Sequence, residues 1–384
     1  MRVALLPSAY APAVGGVEEL TSRLAHRLLD SGDDVEVWTI RHPPVLPEDD
    51  EVDRVRVRRF LLPMPRMSAR ALVSFPRESR RALATLVAAA EEFRPDVVHV
   101  QCFSANGAYA MPLANRLRVP LVVTLQGEAV MDDMDIYDRS LALRLALTRA
   151  GRKAAAVTAC SRFVLEDAEA RFGLAPGRGR VIPNGVELAE GVTAEPLSLP
   201  FERFVLGVGR VVEKKGFDLL LKAFERVASL HPDLGLVIGG NGPARDRLIA
   251  AAASAGLGDR VAFPGTLSRS QVAWALDAAS VFVLPSRVEP FGIVVVEALR
   301  AGCPTIVSSR GGATEIVRDG VNGIVADPCD TAALAQAIHR ALSDEGLAAR
   351  LRHAGPTRAA DFDWRLITAQ YRDVYAHATC SPIS

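Results

Sequence analysis

The chain has no net charge, because 45 Lys and Arg balance 45 Asp and Glu across 384 residues. The basic total that would favour nucleic acid is missing, and no nucleic-acid partner is expected. No apolar run approaches the roughly eighteen residues of a membrane span. The opening stretch MRVALLPSAYAP carries an apolar run too short for a secretory leader, interrupted by Pro7 and Pro12. It reads as a first strand, and the cytosol is the expected compartment. The five cysteines (Cys102, Cys160, Cys303, Cys329, Cys380) are far apart and form no C-x-x-C pair. Such a set fits buried thiols in a reducing compartment. Seven histidines give no H-x-x-x-H or His/Cys cluster, which argues against a zinc site. Gly15-Gly16 and the pair Gly207 and Gly209 fall short of G-x-G-x-x-G, so a dinucleotide cofactor is not indicated.

What is present is an α/β rhythm. Apolar residues make up 49% and charged residues 23%, a globular balance, and the length suggests two domains. Strand-like runs at Val3–Pro7, Asp34–Thr39, Val97–Val100, Leu121–Thr124 and Ala155–Ala159 alternate with helical patterns such as Val17–Leu29. A second series starts near Phe204, with strands at Phe204–Gly209, Leu234–Gly239, Val281–Leu284 and Thr305–Val307. Helices are predicted at Phe217–Leu230, from a Ser268/Gln271 capping box through Ala278, and at Ile293–Leu299. The proline-bearing stretch Glu190–Pro200 reads as a linker. Two Rossmann-like, doubly wound, mostly parallel sheets facing a cleft are expected, with ligands beyond the carboxyl ends of the strands.

One stretch carries most of the chemistry. Pro285 to Gly312 reads PSRVEPFGIVVVEALRAGCPTIVSSRGG, with Glu289 in a loop and Glu297 inside the following helix. The start of that helix, at Phe291, Gly292 and Ile293, is expected to offer backbone N–H groups to an anion. Two carboxylates hold neutral hydroxyls on either side. A ligand with hydroxyls at both ends and phosphates between them is a nucleotide sugar. Arg210 and Lys215, in GRVVEKKG after a strand, supply the fixed positive charge that such phosphates need; a solvated turn is the plainer reading.

These segments, with Pro183-Asn184-Gly185-Val186, Asn241-Gly242-Pro243, Gly311-Gly312 with Glu315, and the ending Phe362-Asp363-Trp364, resemble retaining glycosyltransferases of family 4, with the GT-B fold, over nearly the whole chain. The resemblance implies an acceptor-binding domain at 1–188, a nucleotide-sugar-binding domain at 189–364, and a last helix at 365–384 crossing back onto the first. It implies that Arg210 and Lys215 bind the donor diphosphate, with Lys214 standing where the family often has Glu. Glu297 then accepts the ribose hydroxyls, and Glu289 holds the donor sugar near the reacting centre. Arg210, Lys215 and Glu289 are the catalytic candidates; Gly16, Phe291, Gly292, Ile293 and Glu297 complete the donor set. Gly15, Gln126 and Glu128 are placed on the acceptor side. Many members carry His where this chain has Gln126, and a Gln hydrogen-bonds but does not act as a base near neutral pH.

The resemblance implies transfer of a hexosyl or N-acetylhexosaminyl group, from a UDP-sugar rather than GDP-mannose, with retention and without a cofactor or an essential metal. The run Asp132-Asp133-x-Asp135 reads either as a cation site or as a solvated loop, and the latter is favoured. The competing readings are an epimerase, a phosphorylase, or a nucleotide-sugar-binding protein with a dead site. The acceptor stays open among a sugar, an inositol, a lipid head group and a small molecule. Arg54–Arg81 holds nine arginines among apolar residues. It reads as a site for an anionic acceptor, as a peripheral contact with the inner face of an anionic membrane, or as a solvated face balanced by Glu48–Glu51 and Asp53. His99 is expected at a strand end as a structural or cleft-edge residue.

Overall fold

The computed structural model of the protein describes residues 1–13, 15–65, 69–132, 136–188 and 194–380. It divides into two compact units, Met1–Gly185 with Trp364–Ser384, and Val186–Asp363. The division falls a few residues before the proline-bearing stretch read as a linker.

The first unit is built on strands β1 (Arg2–Pro7), β2 (Asp34–Ile40), β3 (Asp49–Val52), β4 (Val55–Phe60), β5 (Val97–Gln101), β6 (Leu121–Leu125), β7 (Ala156–Ala159) and β8 (Gly179–Val181). Their order is β3-β4-β2-β1-β5-β6-β7-β8, parallel except for β3 against β4. Helices α1 (Gly16–Asp30), α2 (Ala69–Phe93), α3 (Ala105–Leu117), α4 (Ile136–Arg139), α5 (Leu141–Lys153) and α6 (Arg162–Phe172) fill the connections. The central strands read almost entirely apolar, as in LVVTL of β6, because helices cover both faces of a parallel sheet.

The second unit has β9 (Arg203–Val208), β10 (Leu234–Gly239), β11 (Val261–Gly265), β12 (Val281–Leu284), β13 (Thr305–Ser308) and β14 (Ile324–Ala326). Their order is β11-β10-β9-β12-β13-β14, parallel throughout among the described residues. Around them lie α7 (Phe217–Ala228), α8 (Arg245–Ser254), α9 (Arg269–Ala278), α10 (Ile293–Arg300), α11 (Thr331–Ser343) and α12 (Glu345–Ala359). The capping box expected at α9 is formed: Ser268 Oγ accepts from Gln271 N, and Gln271 Oε1 accepts from Ser268 N. The predicted elements sit within about two residues of the observed ones, the usual slack at helix ends.

The final helix α13 (Trp364–Cys380) belongs to the first unit. Trp364, Ile367, Tyr371, Val374, Tyr375 and Ala378 recur at helical spacing, and all are buried in one core with Val3, Leu5, Val97 and Val122. Gly185 allows this close approach, since a Cβ there would run into the Trp364 indole. His99 is fully buried beneath α13; its Nδ1 lies 2.6 Å from the Tyr375 hydroxyl and its Nε2 2.7 Å from Thr124 Oγ1. It is therefore a structural residue, and burial pulls its pKa down to about 3.

The arginine-rich segment corrects one reading. It is not a uniformly solvated face, because Arg58 and Arg59 of β4 are buried. Arg58 pairs with Glu36 and Glu92, Arg59 with Asp50, Arg56 with Asp49, Glu36 and Glu92, and Arg54 with Asp30. Four of the nine arginines thus hold β2, β3, β4 and the helices beside them together.

Candidate active site

In the second sheet β9 and β12 are neighbours, and the chemistry-bearing residues follow their carboxyl ends. After β12 the loop 285–292 leads into α10. Glu289 is only 4% exposed, so a carboxylate has been taken out of water and needs partners. Lys215 Nζ donates to its Oε2 at 2.7 Å, and Ser286 Oγ, also buried, donates to the same oxygen at 2.9 Å. The Glu289 backbone is fixed as well: its N–H donates to the Arg310 carbonyl and its own carbonyl accepts from Gly312 N–H at 2.7 Å. Gly311 makes this pairing possible. Its φ of 116° lies where other residues are strained, and a Cβ would collide with the Glu289 backbone.

Lys215 ends a short 3-10 turn, Glu213–Lys215, between β9 and α7. Arg287 holds this turn against the 285–292 loop. Its N–H donates to the Lys214 carbonyl, its guanidinium to the Glu213 carbonyl, and both terminal nitrogens to the Asp218 carboxylate at 2.7 Å. Burial works against the Asp218 charge, but the Arg287 hydrogen bonds and charge outweigh it and hold the carboxyl below its ordinary value. The fork from Arg287 fixes where Lys215 stands relative to Glu289. Arg287→Ala is expected to destabilise the second unit by about 1 kcal/mol and to raise donor KM about fivefold, with a smaller effect on kcat. Urea denaturation and steady-state kinetics check it; an unchanged KM would detach Arg287 from the positioning of Lys215.

The other residues of this unit expected on the donor side follow β9 or β12 in the same sheet. Arg210 follows Gly209 at the end of β9 and its side chain is exposed. Gly292, with φ 92°, is the N-cap of α10 and supplies no side-chain cap, while its carbonyl accepts from Val295 N–H at 2.9 Å. Phe291 is buried and packs edge-on against Phe362, with ring centroids 5.9 Å apart. Its side chain is therefore structural, whatever its N–H binds. Glu297 is half-buried on α10.

In the first unit, Gly15 is the extended N-cap of α1 and Gly16 its first residue; neither has a positive φ. A Cβ on Gly15 would meet the Glu18 carboxylate, whereas Gly16 faces open space. Gln126 lies in a chain of amides: Asn184 Nδ2 donates to Gln126 Oε1 at 3.0 Å, and Gln126 Nε2 to Gln101 Oε1 at 3.2 Å. Its carboxamide is thus engaged within the protein on both sides. Glu128 accepts from Phe103 N at 2.6 Å and Gln126 N at 2.7 Å, tying the ends of β5 and β6 together. Burial pushes its pKa up to about 7 against those N–H bonds. Of the aspartate run, Asp132 Oδ2 accepts from Tyr137 N at 3.0 Å, at the start of α4, while Asp133 and Asp135 lie outside the described residues. No group of three metal-binding side chains occurs among the described residues.

Sequence reasoning missed Ser286, Arg287, Asp218 and Asn184 as residues that position site groups. All four are ordinary polar side chains whose significance lies in spatial pairing; Ser286, Arg287 and Asn184 stood within quoted stretches, and Asp218 did not.

The family model for glycosyltransferase family 4 matches residues 14–190, and that for glycosyl transferases group 1 matches residues 196–358. The D-inositol 3-phosphate glycosyltransferase of Acidothermus cellulolyticus is 31% identical, covering 94% of this chain and 86% of its own. Sucrose-phosphate synthase from Thermosynechococcus elongatus superposes with a TM-score of 0.80 at 25% identity, covering 98% of both chains. The Anabaena protein HepE, solved in complex with UDP-glucose, shares the fold with a TM-score of 0.76 at 22% identity, over 98% of this chain and 99% of its own. With two parallel-sheet units, a matching family model on each and a relative of this extent, the chain belongs to glycosyltransferase family 4 and has the GT-B fold.

Proposed function

We propose that the protein transfers a hexosyl or N-acetylhexosaminyl group from a UDP-sugar to an acceptor hydroxyl with retention, forming an α linkage. The observation that carries this reading is the buried Lys215–Glu289 pair beside the start of α10. A cation, a carboxylate and a helix N-terminus without a side-chain cap on one sheet edge suit a sugar diphosphate better than any single-charge ligand. Lys215, Arg210 and the backbone of Phe291–Ile293 stabilise the departing diphosphate, which is the main task when the glycosidic C–O bond breaks. Glu289 holds the donor sugar and Glu297 the ribose. The acceptor oxygen attacks C1 on the face that the diphosphate leaves, and a phosphate oxygen of the leaving group takes the acceptor proton. No side-chain base and no metal are required in this scheme, in keeping with the engaged amide of Gln126. HepE was solved with UDP-glucose, which favours a uridine donor, and the Acidothermus relative is named for an inositol phosphate acceptor, which favours a polyol or its phosphate.

On the acceptor side the first unit offers a cavity of about 960 Å³ between β4 and α2, with Arg41, Arg59 and Arg81 among its lining residues and Phe60 and Leu62 on its apolar part. Arg59 also donates to the Ala11 carbonyl in the loop that precedes Gly15 and Gly16, which puts this cavity beside the β1–α1 turn.

A screen of UDP- and GDP-sugars against sugar, inositol phosphate and aglycone acceptors, read by nucleotide release and by NMR of the product, tests the reading. UDP release that depends on acceptor, with an α-linked product, is expected. A β-linked product from an α-linked donor overturns retention. An isomerised UDP-sugar formed without acceptor would make the protein an epimerase.

A further inference from the structure

Helix α5 is poorly explained by the fold alone. Its sequence, LALRLALTRAGRK, has leucine at every second position through Leu147. Leu143 and Leu147 are buried and anchor the helix. Leu141 and Leu145 point outward, 70% and 58% exposed, and Ile136 of α4 is 46% exposed nearby in sequence. Three of the large exposed hydrophobic side chains therefore fall within ten residues. Arg144, Arg149, Arg152 and Lys153 of the same helix are all exposed, and α5 contains no acidic residue. None of these four cations has an ion pair among the described residues. Beside Leu145 a groove of about 510 Å³ runs between α3 and α5, with Met111, Pro112, Arg149 and Lys153 among its lining residues. By contrast, Arg54, Arg56, Arg58 and Arg59, in the arginine-rich segment, are all paired with carboxylates of the same unit, Arg58 and Arg59 in buried positions.

From this we infer that α5, with the α3–α5 groove, docks the protein on an anionic lipid bilayer. Apolar residues flanked by unpaired cations on one exposed helix face are what an interfacial helix requires: the leucines enter the acyl boundary while the guanidinium and ammonium groups stay among head-group phosphates. The charge pattern excludes an apolar protein partner as the better fit, since four uncompensated cations would be buried against it at a cost. The inference is independent of which sugar or acceptor the enzyme uses.

Vesicle co-sedimentation tests it, with phosphatidylcholine alone and with about a third phosphatidylglycerol, at low and high salt. The full chain is expected to bind the anionic vesicles at least tenfold better than the neutral ones, and to be released by salt. Leu141→Gln with Leu145→Gln, and separately Arg149→Gln with Lys153→Gln, are each expected to lower binding about fivefold or more. These positions are exposed, and circular dichroism confirms that the variants fold. Arg77→Gln with Arg80→Gln, on α2, is the comparator and is expected to bind within about twofold of the parent chain. No binding to anionic vesicles, α5 variants that bind like the parent, or loss of binding in the α2 variant overturns the proposal. So does light scattering that shows a dimer dissolved by the leucine substitutions, because α5 would then be covered by a second copy.

Discussion

Replacing Lys215 by alanine is expected to lower turnover by roughly 10²–10³-fold, about 3–4 kcal/mol of transition-state stabilisation. The size follows from what the ammonium does in two settings. In the unliganded protein Lys215 Nζ neutralises Glu289 at 2.7 Å, in a place where the carboxylate is almost without solvent. In the proposed reaction it faces the charge that develops as the C–O bond breaks. Removing it also leaves a buried carboxylate with Ser286 as its remaining side-chain donor in this constellation, a loss of about 3–5 kcal/mol in the stability of the second unit. These two effects are separable. Glu289→Gln is expected to leave UDP affinity within about twofold while abolishing most transfer, because the amide still accepts a hydrogen bond but no longer carries charge at the sugar. The double variant Lys215→Ala/Glu289→Gln is expected to regain most of the lost stability, since no unpaired charge remains. It is not expected to regain UDP affinity, which should stay at least about tenfold weaker than in the parent chain. Calorimetric titration with UDP and urea denaturation on the four proteins decide the matter. UDP affinity restored in the double variant would make Lys215 a counter-ion for Glu289 and nothing more, and would move the diphosphate site elsewhere.

The parallel sheets were legible in the sequence for a physical reason. Strands buried on both faces read as near-continuous apolar runs, as β1, β6, β10 and β12 do apart from Arg2 and Thr124. The residues around Glu289 were legible because the loop glycines that permit its backbone pairing are written in the chain. Strand β3 was not legible, since DDEV has the composition of a loop. It forms because Asp49 stands opposite Arg58 and Glu51 opposite Arg56 in the antiparallel register, so cross-strand charge replaces apolar pairing at a sheet edge. In the arginine-rich stretch the partners Asp49 and Asp50 lie within reach of local counting, whereas Asp30, Glu36 and Glu92 stand 20 to 36 residues away and could not be paired from sequence. The acceptor-side candidates Gln126 and Glu128 were found as polar groups at strand ends, and so they are. Their hydrogen bonds, however, run to Asn184, Gln101 and the Phe103 backbone. A carboxylate that staples two strands cannot be told by sequence from one that meets a substrate.

The stability of the first unit should depend on pH through two buried groups of opposite sign. His99 is held neutral, its pKa drawn from 6.5 to about 3 by burial. Below pH 6.5 the unfolded chain takes up a proton that the native state refuses, so stability falls as pH drops from 6.5 towards 3. Glu128 is shifted the other way, from 4.5 to about 7, again chiefly by burial. Between pH 4.5 and 7 the native state holds more protons than the unfolded chain, so this group's contribution rises as pH drops through that window. At pH 4.5 the histidine has lost about 2–3 kcal/mol and the glutamate has recovered a similar amount, and in the parent chain the two nearly cancel. Single substitutions should uncover them. Glu128→Gln, compared with the parent, should lose about 2–3 kcal/mol more on going from pH 7 to 4.5, and His99→Gln should gain by a similar margin. Each variant also carries a constant offset from its altered hydrogen bonds, so only the difference between the two pH values is read. A Trp274→Phe background leaves Trp38 and Trp364 as reporters of the first unit in urea denaturation. Parallel pH profiles for all three proteins would show that neither group titrates differently in the folded state. A slope shared by the parent and His99→Gln but lost in Glu128→Gln would place the whole effect at Glu128, and with it the claim that this carboxyl spends part of its time protonated near neutral pH. That outcome would matter for the site as well, because a proton on Glu128 turns an acceptor for the Gln126 N–H into a donor at the end of β6.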